Sequence, residues 1–217
     1  MPALSIVQRN PLAARSRLSG VSTLFIRHGT TEWNESGRIQ GWAPVGLSDR
    51  GGEEAARVAD ALTERHAVDA VVASDLARTV ETAEPIAAAA GVELETDPRL
   101  RERDFGVFQG LSSGDFFERF PAFDLLKNGR DAAERAPESG ESWLAVRERV
   151  LDAAADLRAR DGTVVAVTHV NPIRLLLGEY RDLSVVRSLT TLSAANCSVT
   201  AVDDEGDVVR ANDGSYT

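Results

Sequence analysis

The chain has 217 residues, 34 of them acidic against 24 basic, and a net charge of −10. That length suits one generous domain. The charge excludes a nucleic-acid binder, which needs a basic face, and no apolar run reaches the roughly 18 residues of a membrane span. Cys197 is the one cysteine, which excludes an internal disulfide and a cysteine-based zinc cluster; it suits a small buried apolar role in a reducing, cytoplasmic setting.

Residues 1–20 contain Arg9, Arg15 and Arg17 and no acid, with no continuous apolar segment behind them. They read as a disordered leader rather than a secretory signal, ahead of a single domain over 21–217. Val21–Ile26 reads as a strand, and Glu53–His66 as a helix with Ala55, Val58, Ala59 and Leu62 on one stripe. Asp69–Ala73 is a second strand. Leu76–Ala90 is a helix closed by Gly91, which Pro85 should kink or restart. Val92–Thr96 is a third strand. The segment from Asp97 to Gly140 holds short helical pieces, including Gly114–Phe120. Ser142–Arg160 is an amphipathic helix with Trp143, Val146, Val150, Ala154 and Leu157 on its apolar face, ended by Gly162. Thr163–Thr168 is a buried-type strand. Asn171 and Pro172 open a helix over Ile173–Leu177. Asn196–Val202 and Asp207–Arg210 form a terminal hairpin. Strands alternating with helices predict an α/β domain with a mainly parallel sheet.

Three strand ends carry groups that can bind an anion. The first runs into Arg27-His28-Gly29-Thr30, the second into Ser74-Asp75-Leu76-Ala77-Arg78-Thr79, and the fourth into Thr168-His169. Ligands of open α/β sheets bind at the carboxyl ends of the strands, and Gly29 permits close backbone approach. A negative molecule repels phosphate until screening takes over, at about 8 Å in physiological salt. A local cluster of cations must therefore do the capturing. The basic residues are 23 Arg and Lys127, an acid-rich, lysine-poor balance that points to salt adaptation or a GC-rich genome, the former favoured.

Taken together, these segments resemble the histidine phosphatase superfamily, also called phosphoglycerate-mutase-like, from about Val21 to Thr200. Arg27-His28-Gly29-Thr30-Thr31-Glu32-Trp33-Asn34 resembles its signature. Arg38-Ile39-Gln40-Gly41, Leu47-Ser48-Asp49-Arg50-Gly51, Ser74–Thr79, Leu100-Arg101-Glu102-Arg103-Asp104-Phe105-Gly106, Pro137–Ser142 and Val167-Thr168-His169 follow in the family's order. The resemblance implies a three-layer α/β/α sandwich around a mixed sheet. It implies that His28 attacks phosphorus and becomes a phosphohistidine, with its other ring nitrogen bonded to backbone to fix the tautomer. Arg27 and Arg78 would fork onto phosphoryl oxygens. His169, protonated, would stabilise the transferring group, and Asn34, Gln40 and the Gly41 amide would line the pocket. Glu102 would be the general acid and then the base, a role that needs burial or a nearby anion such as the phosphate. Asp104 is a lesser candidate for that role. Val170 replaces the Gly common after the second histidine and narrows the site, while its amide can still face phosphate. No metal-ligand spacing is visible and no cofactor is expected.

His66, at a helix end, has no expected catalytic role. Trp33 and Trp42 either contact substrate or anchor loops. Phe116, Phe117, Phe120 and Phe123 either cap the site or form a local core. Relatives that act as mutases have a tyrosine where this chain has Phe105, and an Arg-Arg and Pro-Pro run absent from Leu111–Ala136. The expected function is therefore a phosphatase of small phosphomonoesters. The alternatives are a phosphoglycerate mutase using the same phosphohistidine and, remotely, a non-catalytic module that binds a phospho-ligand. Phosphosugars, phosphoglycerate derivatives and a cobalamin nucleotide-loop precursor fit as substrates. The expected partner is such a metabolite, with no nucleic acid and no membrane, and a homodimer is left open.

Overall fold

The computed structural model describes residues 21–217, so the expected leader lies outside the described residues. Six strands form one sheet: β1 Val21–Arg27, β2 Ala70–Ala73, β3 Leu94–Thr96, β4 Val164–Thr168, β5 Val199–Asp203 and β6 Val208–Asp213. Their order is β3-β2-β4-β1-β5-β6. β1 to β4 are mutually parallel, β5 runs antiparallel to β1, and β6 antiparallel to β5. Five of the six strands therefore point one way.

Period-two alternation divides the core between the two faces. Leu24, Ile26, Val165 and Val167 face helices α2 (Asp49–Arg65) and α3 (Ala77–Ala90). Phe25, Val164 and Ala166 face α6 (Trp143–Arg158) and α7 (Val170–Glu179), with α8 (Val185–Thr191) packed on them. This is the three-layer sandwich. All five residues of β4 are buried, as befits a central parallel strand covered on both sides. Shorter helices α1 (Glu32–Glu35), α4 (Ser113–Arg119) and α5 (Leu125–Glu134) lie in the connections. Among the described residues no helix is long and apolar enough to cross a membrane.

Several details differ from the sequence reading. α2 starts at Asp49 and not Glu53, running through Gly51-Gly52, because the Ser48 hydroxyl caps the Gly51 amide at 3.2 Å. Pro85 neither breaks nor restarts α3, which continues through it. Its missing N–H forgoes one bond to the Glu81 carbonyl, and the burial of Ala83, Ile86 and Ala87 against the sheet outweighs that. α7 begins at Val170, with His169 rather than Asn171 at the cap position. α6 closes at Arg158, before Gly162. α8, capped by Ser184 on the Arg187 amide at 3.3 Å, was not read from the sequence. At seven residues it is too short to show a period.

Candidate active site

Register brings the three strand ends together. Arg27 pairs with Thr168 and Ala73 with Val167. The His28 amide donates to the Thr168 carbonyl at 3.0 Å, and the Ser74 amide to the Val167 carbonyl at 2.9 Å. His28, Ser74 and His169 thus leave the sheet side by side, and Arg78 follows in the first turn of α3. A cavity of about 230 Å³ opens there. Arg27, His28, Arg78 and Glu102 contribute to its wall, as do Asn34, Gln40, Gly41 and Val170. Two larger clefts lie elsewhere. One is apolar, around Leu144, Val185 and Val186, and the other surrounds Arg50, Glu54 and Arg57. Neither gathers an imidazole with buried guanidiniums.

His28 is buried, 3 % exposed. Its Nδ1 lies 2.7 Å from the Gly29 carbonyl. A carbonyl only accepts, so Nδ1 carries the proton and Nε2 is left with its lone pair. Burial, with the Arg78 and Arg27 charges behind it, pushes the His28 pKa well below the ordinary value, so the ring stays neutral. The loop is held by three bonds: the Gly29 amide to Thr82 Oγ1 at 3.0 Å, the Thr30 amide to Glu54 at 2.8 Å, and Asn196 Nδ2 to the His28 carbonyl at 2.9 Å. Gly29 is required by a neighbour: a Cβ there would stand 2.6 Å from the Gly51 carbonyl oxygen. This is a different reason from the ligand approach inferred from sequence; Gly51, in the first turn of α2, has its own, since a Cβ there would run into the Thr30 carbonyl oxygen.

His169 sits behind, its ring centroid 5.2 Å from that of His28. Its Nε2 is 3.0 Å from the Ser74 hydroxyl, and its buried Nδ1 has no hydrogen-bond partner. The family resemblance implies that this ring, when protonated, stabilises the transferring group. The structure places it in full burial near Arg78, and both effects drive its pKa well below the ordinary value, so the ring is neutral in the unliganded protein. An arriving phosphate dianion opposes both effects.

Arg27 Nη1 donates to the Ala194 carbonyl at 2.8 Å, and Arg78 Nη2 to the Gly41 carbonyl at 2.7 Å. Gly41 has φ +52°, which suits a residue without Cβ. The Nε of each arginine is buried without a partner, and so is the Gln40 amide oxygen. Burial lowers both guanidinium pKa values to about 10, so both keep their charge at neutral pH. Each buried unpaired donor is unfavourable by about 1–3 kcal/mol, and an anion in the cavity can satisfy several at once. The Asn34 oxygen accepts from the Thr31 amide and hydroxyl, both at 3.1 Å, which leaves its NH₂ as the group to offer a ligand. Val170 lines the wall as the first residue of α7, where the helix dipole favours an anion.

Glu102 is buried, and its carboxylate accepts from the Arg103 amide at 2.8 Å and from Asn171 Nδ2 at 3.2 Å. Asp104 does not line the cavity; its carboxylate caps the Gly106 amide at 2.8 Å. Several groups that hold Glu102 were missed by the sequence reading. Arg149, on α6, donates to the carbonyls of Arg99 and Arg101 at 2.7 Å and of Glu102 at 2.9 Å, and pairs with Glu141 at 2.8 Å. Trp42 Nε1 donates to the same Glu102 carbonyl at 2.7 Å, so Trp42 is a loop anchor. Only the helical spacing of Arg149 from Ser142 hinted at its place. Ser74 and Asn196 were likewise unassigned. The aromatic question resolves toward a local core: Phe116, Phe120 and Phe123 pack with Phe108, and none of Phe116, Phe117, Phe120 and Phe123 lines the cavity. His66 caps α2 and bonds the Tyr216 hydroxyl at 2.9 Å, away from the site.

Comparison with known proteins places the chain in a family. Residues 23–213 match the profile of the histidine phosphatase superfamily (branch 1). Phosphoserine phosphatase 1 of Hydrogenobacter thermophilus is 33 % identical over 158 residues, covering 72 % of this chain and 74 % of its own. Phosphoglycerate mutase-like protein 4 of Arabidopsis thaliana is 37 % identical over 157 residues, covering 70 % of this chain and 68 % of its own. The solved structure of mycobacterial glucosyl-3-phosphoglycerate phosphatase with VO3 superposes with a TM-score of 0.76 at 28 % identity, covering 90 % of this chain and 100 % of that one. The chain belongs to the histidine phosphatase superfamily.

Proposed function

We propose that the protein is a phosphatase that hydrolyses a small phosphomonoester through a phosphohistidine on His28. The observation that carries this is the tautomer: Nδ1–H is tied to the Gly29 carbonyl, so Nε2 keeps its lone pair in a ring that lines a cavity walled by the buried Arg78 and the half-buried Arg27. Nε2 attacks phosphorus and the ester P–O bond breaks. Glu102 gives its proton to the departing alkoxide. Water then attacks phosphorus as Glu102 takes its proton, the N–P bond breaks with its electron pair returning to Nε2 of His28, and phosphate leaves. Arg27, Arg78, Asn34 and His169 hold the three peripheral oxygens as charge shifts between them. Relatives named for phosphoserine and glucosyl-3-phosphoglycerate support a small phosphomonoester as the class. Phe105, on the cavity wall, stands where mutase-type relatives carry tyrosine, which supports hydrolysis over transfer back to substrate.

The test is phosphorus NMR with a phosphomonoester panel that includes 2- and 3-phosphoglycerate, before and after exhaustive chelation. Free phosphate is expected from the wild type in both conditions and none from His28→Ala. Interconversion of the phosphoglycerates without free phosphate would make the enzyme a mutase. Turnover by His28→Ala would remove the nucleophile assignment.

A further inference from the structure

Arg149 and Trp42 hold the main chain of Glu102, and a different set of groups holds its carboxyl. The Arg103 amide donates to Oε1 at 2.8 Å, and Asn171 Nδ2 to the same oxygen at 3.2 Å. Among the described residues Oε2 receives one long bond, from the Asn171 amide at 3.4 Å. The two oxygens are therefore unequal. A carboxylic acid carries its proton on one oxygen only, and an oxygen already facing two donors has little room for an O–H of its own. Oε1 is the anchored atom and Oε2 the one free to carry a proton.

Asn171 lies in the first turn of α7, beside Val170 on the cavity wall. The cap position belongs to His169, so the Asn171 side chain is not spent on capping and can turn to Glu102. Pro172 has no N–H, and the Ile173 amide bonds the His169 carbonyl at 3.2 Å. The first turn therefore has two amides to offer, those of Val170 and Asn171, and the second is given to Glu102 Oε2. The direction of the Asn171 side chain is fixed from the other side. Arg174, one turn on, donates from Nη1 to Asn171 Oδ1 at 3.3 Å. A guanidinium has donors only, so the atom that faces Arg174 is the amide oxygen and the atom that faces Glu102 is the NH₂. Asn171 and Arg174 are both half-buried, which limits competition from water for these bonds.

We infer that Asn171, turned by Arg174, is the positioning residue that commits Oε2 of Glu102 to the proton transfers of the reaction. Oε2–H gives its proton to the ester oxygen as the P–O bond breaks, and Oε2 then takes one from the attacking water. The role of Glu102 in this rests on the phosphatase reading.

Single-turnover release of the alcohol isolates the first step. Two esters are compared: the fastest alkyl phosphate of the panel, and p-nitrophenyl phosphate, whose leaving group needs no proton. A whole general acid is worth about 10²–10⁴-fold, so Asn171→Leu, close in size but without a donor, should slow the alkyl ester by about tenfold or more and p-nitrophenyl phosphate by less than about twofold. Arg174→Met keeps the donor but frees its direction, and should give a smaller loss with the same dependence on the ester. Proton NMR of the resting protein adds a readout that needs no turnover. One Asn171 Nδ2 proton, bonded to the carboxyl, should stand downfield of its partner and move upfield in Glu102→Leu. Equal losses on both esters in Asn171→Leu, or no loss on the alkyl ester, would overturn the inference, as would an Asn171 signal unmoved by Glu102→Leu. Interconversion of the phosphoglycerates without free phosphate, with the ester dependence intact, would remove the phosphatase reading alone, since a mutase calls on the same acid.

Discussion

In the proposed mechanism the chemistry turns on His28, and its charge state is set by burial. Both site histidines are held neutral by desolvation, reinforced by Arg78. A signature motif read from sequence names these residues and says nothing of their protonation, because the cause lies in atoms from distant segments. The protonated His169 expected from the family resemblance belongs to the phosphate-bound state, where the anion opposes the burial that keeps the ring neutral in the unliganded site. A consequence for stability follows. Below the ordinary histidine pKa of about 6.5 the unfolded chain takes up protons that the folded chain refuses, so stability falls as pH falls. Each fully buried histidine contributes up to about 1.4 kcal/mol per pH unit in that window. His66, packed on Tyr216, is shifted the same way. Thermal unfolding at pH 7 and pH 5 should show a clear loss at the lower pH, and His169→Asn should reduce it. An unchanged pH dependence in that variant would place the cause elsewhere.

Among the elements, α6 reaches furthest into the site without touching the cavity. Its apolar stripe was legible, since Trp143, Val146, Val150, Ala154 and Leu157 recur at helical spacing and all are buried. Its polar contribution was not, because the partners of Arg149 are backbone carbonyls of a loop with no periodicity. Glu141, just before the helix, closes the clamp, and Arg149 holds its carboxyl below the usual range. Arg149 is a positioning residue for Glu102. Arg149→Met should destabilise the fold by about 3 kcal/mol, since it strands a half-buried Glu141. It should also lower kcat on esters with poor leaving groups far more than on p-nitrophenyl phosphate, whose leaving group needs no proton. Equal losses on both would reduce Arg149 to a structural role. The other elements divide along similar lines. β1 to β4 were read within two residues at each end, and β5 and β6 within three. α8 and the start of α2 depended on caps and close contacts that only tertiary packing reveals.

For the molecule as a whole, the alternation of strands and helices carried the layer architecture, and the order of motifs carried the location of the site. Strand order was invisible to both, since adjacency in the sheet does not follow the chain. The charge of −10 also acts at this scale. Self-repulsion opposes the compact state, and raising salt from about 0.1 M to 1 M shortens the screening length from about 10 Å to 3 Å. Surface pairs such as Arg160–Glu95 and Arg130–Glu134 weaken as well, but exposed pairs contribute little. The unfolding temperature should therefore rise with sodium chloride. A fall would mean that the surface pairs outweigh the net charge, and would count against salt adaptation.

The position of β4 carries a consequence in time. It is fourth in sequence and yet lies between β2 and β1, so neither of those strands can pair with it until residue 168 has left the ribosome. Until then β1 and β2 wait with open edges and apolar faces, and contacts made this late in sequence slow folding and expose the nascent chain to association. His28 is made early and the strand that completes its surroundings late, so catalytic competence arrives only near the end of synthesis.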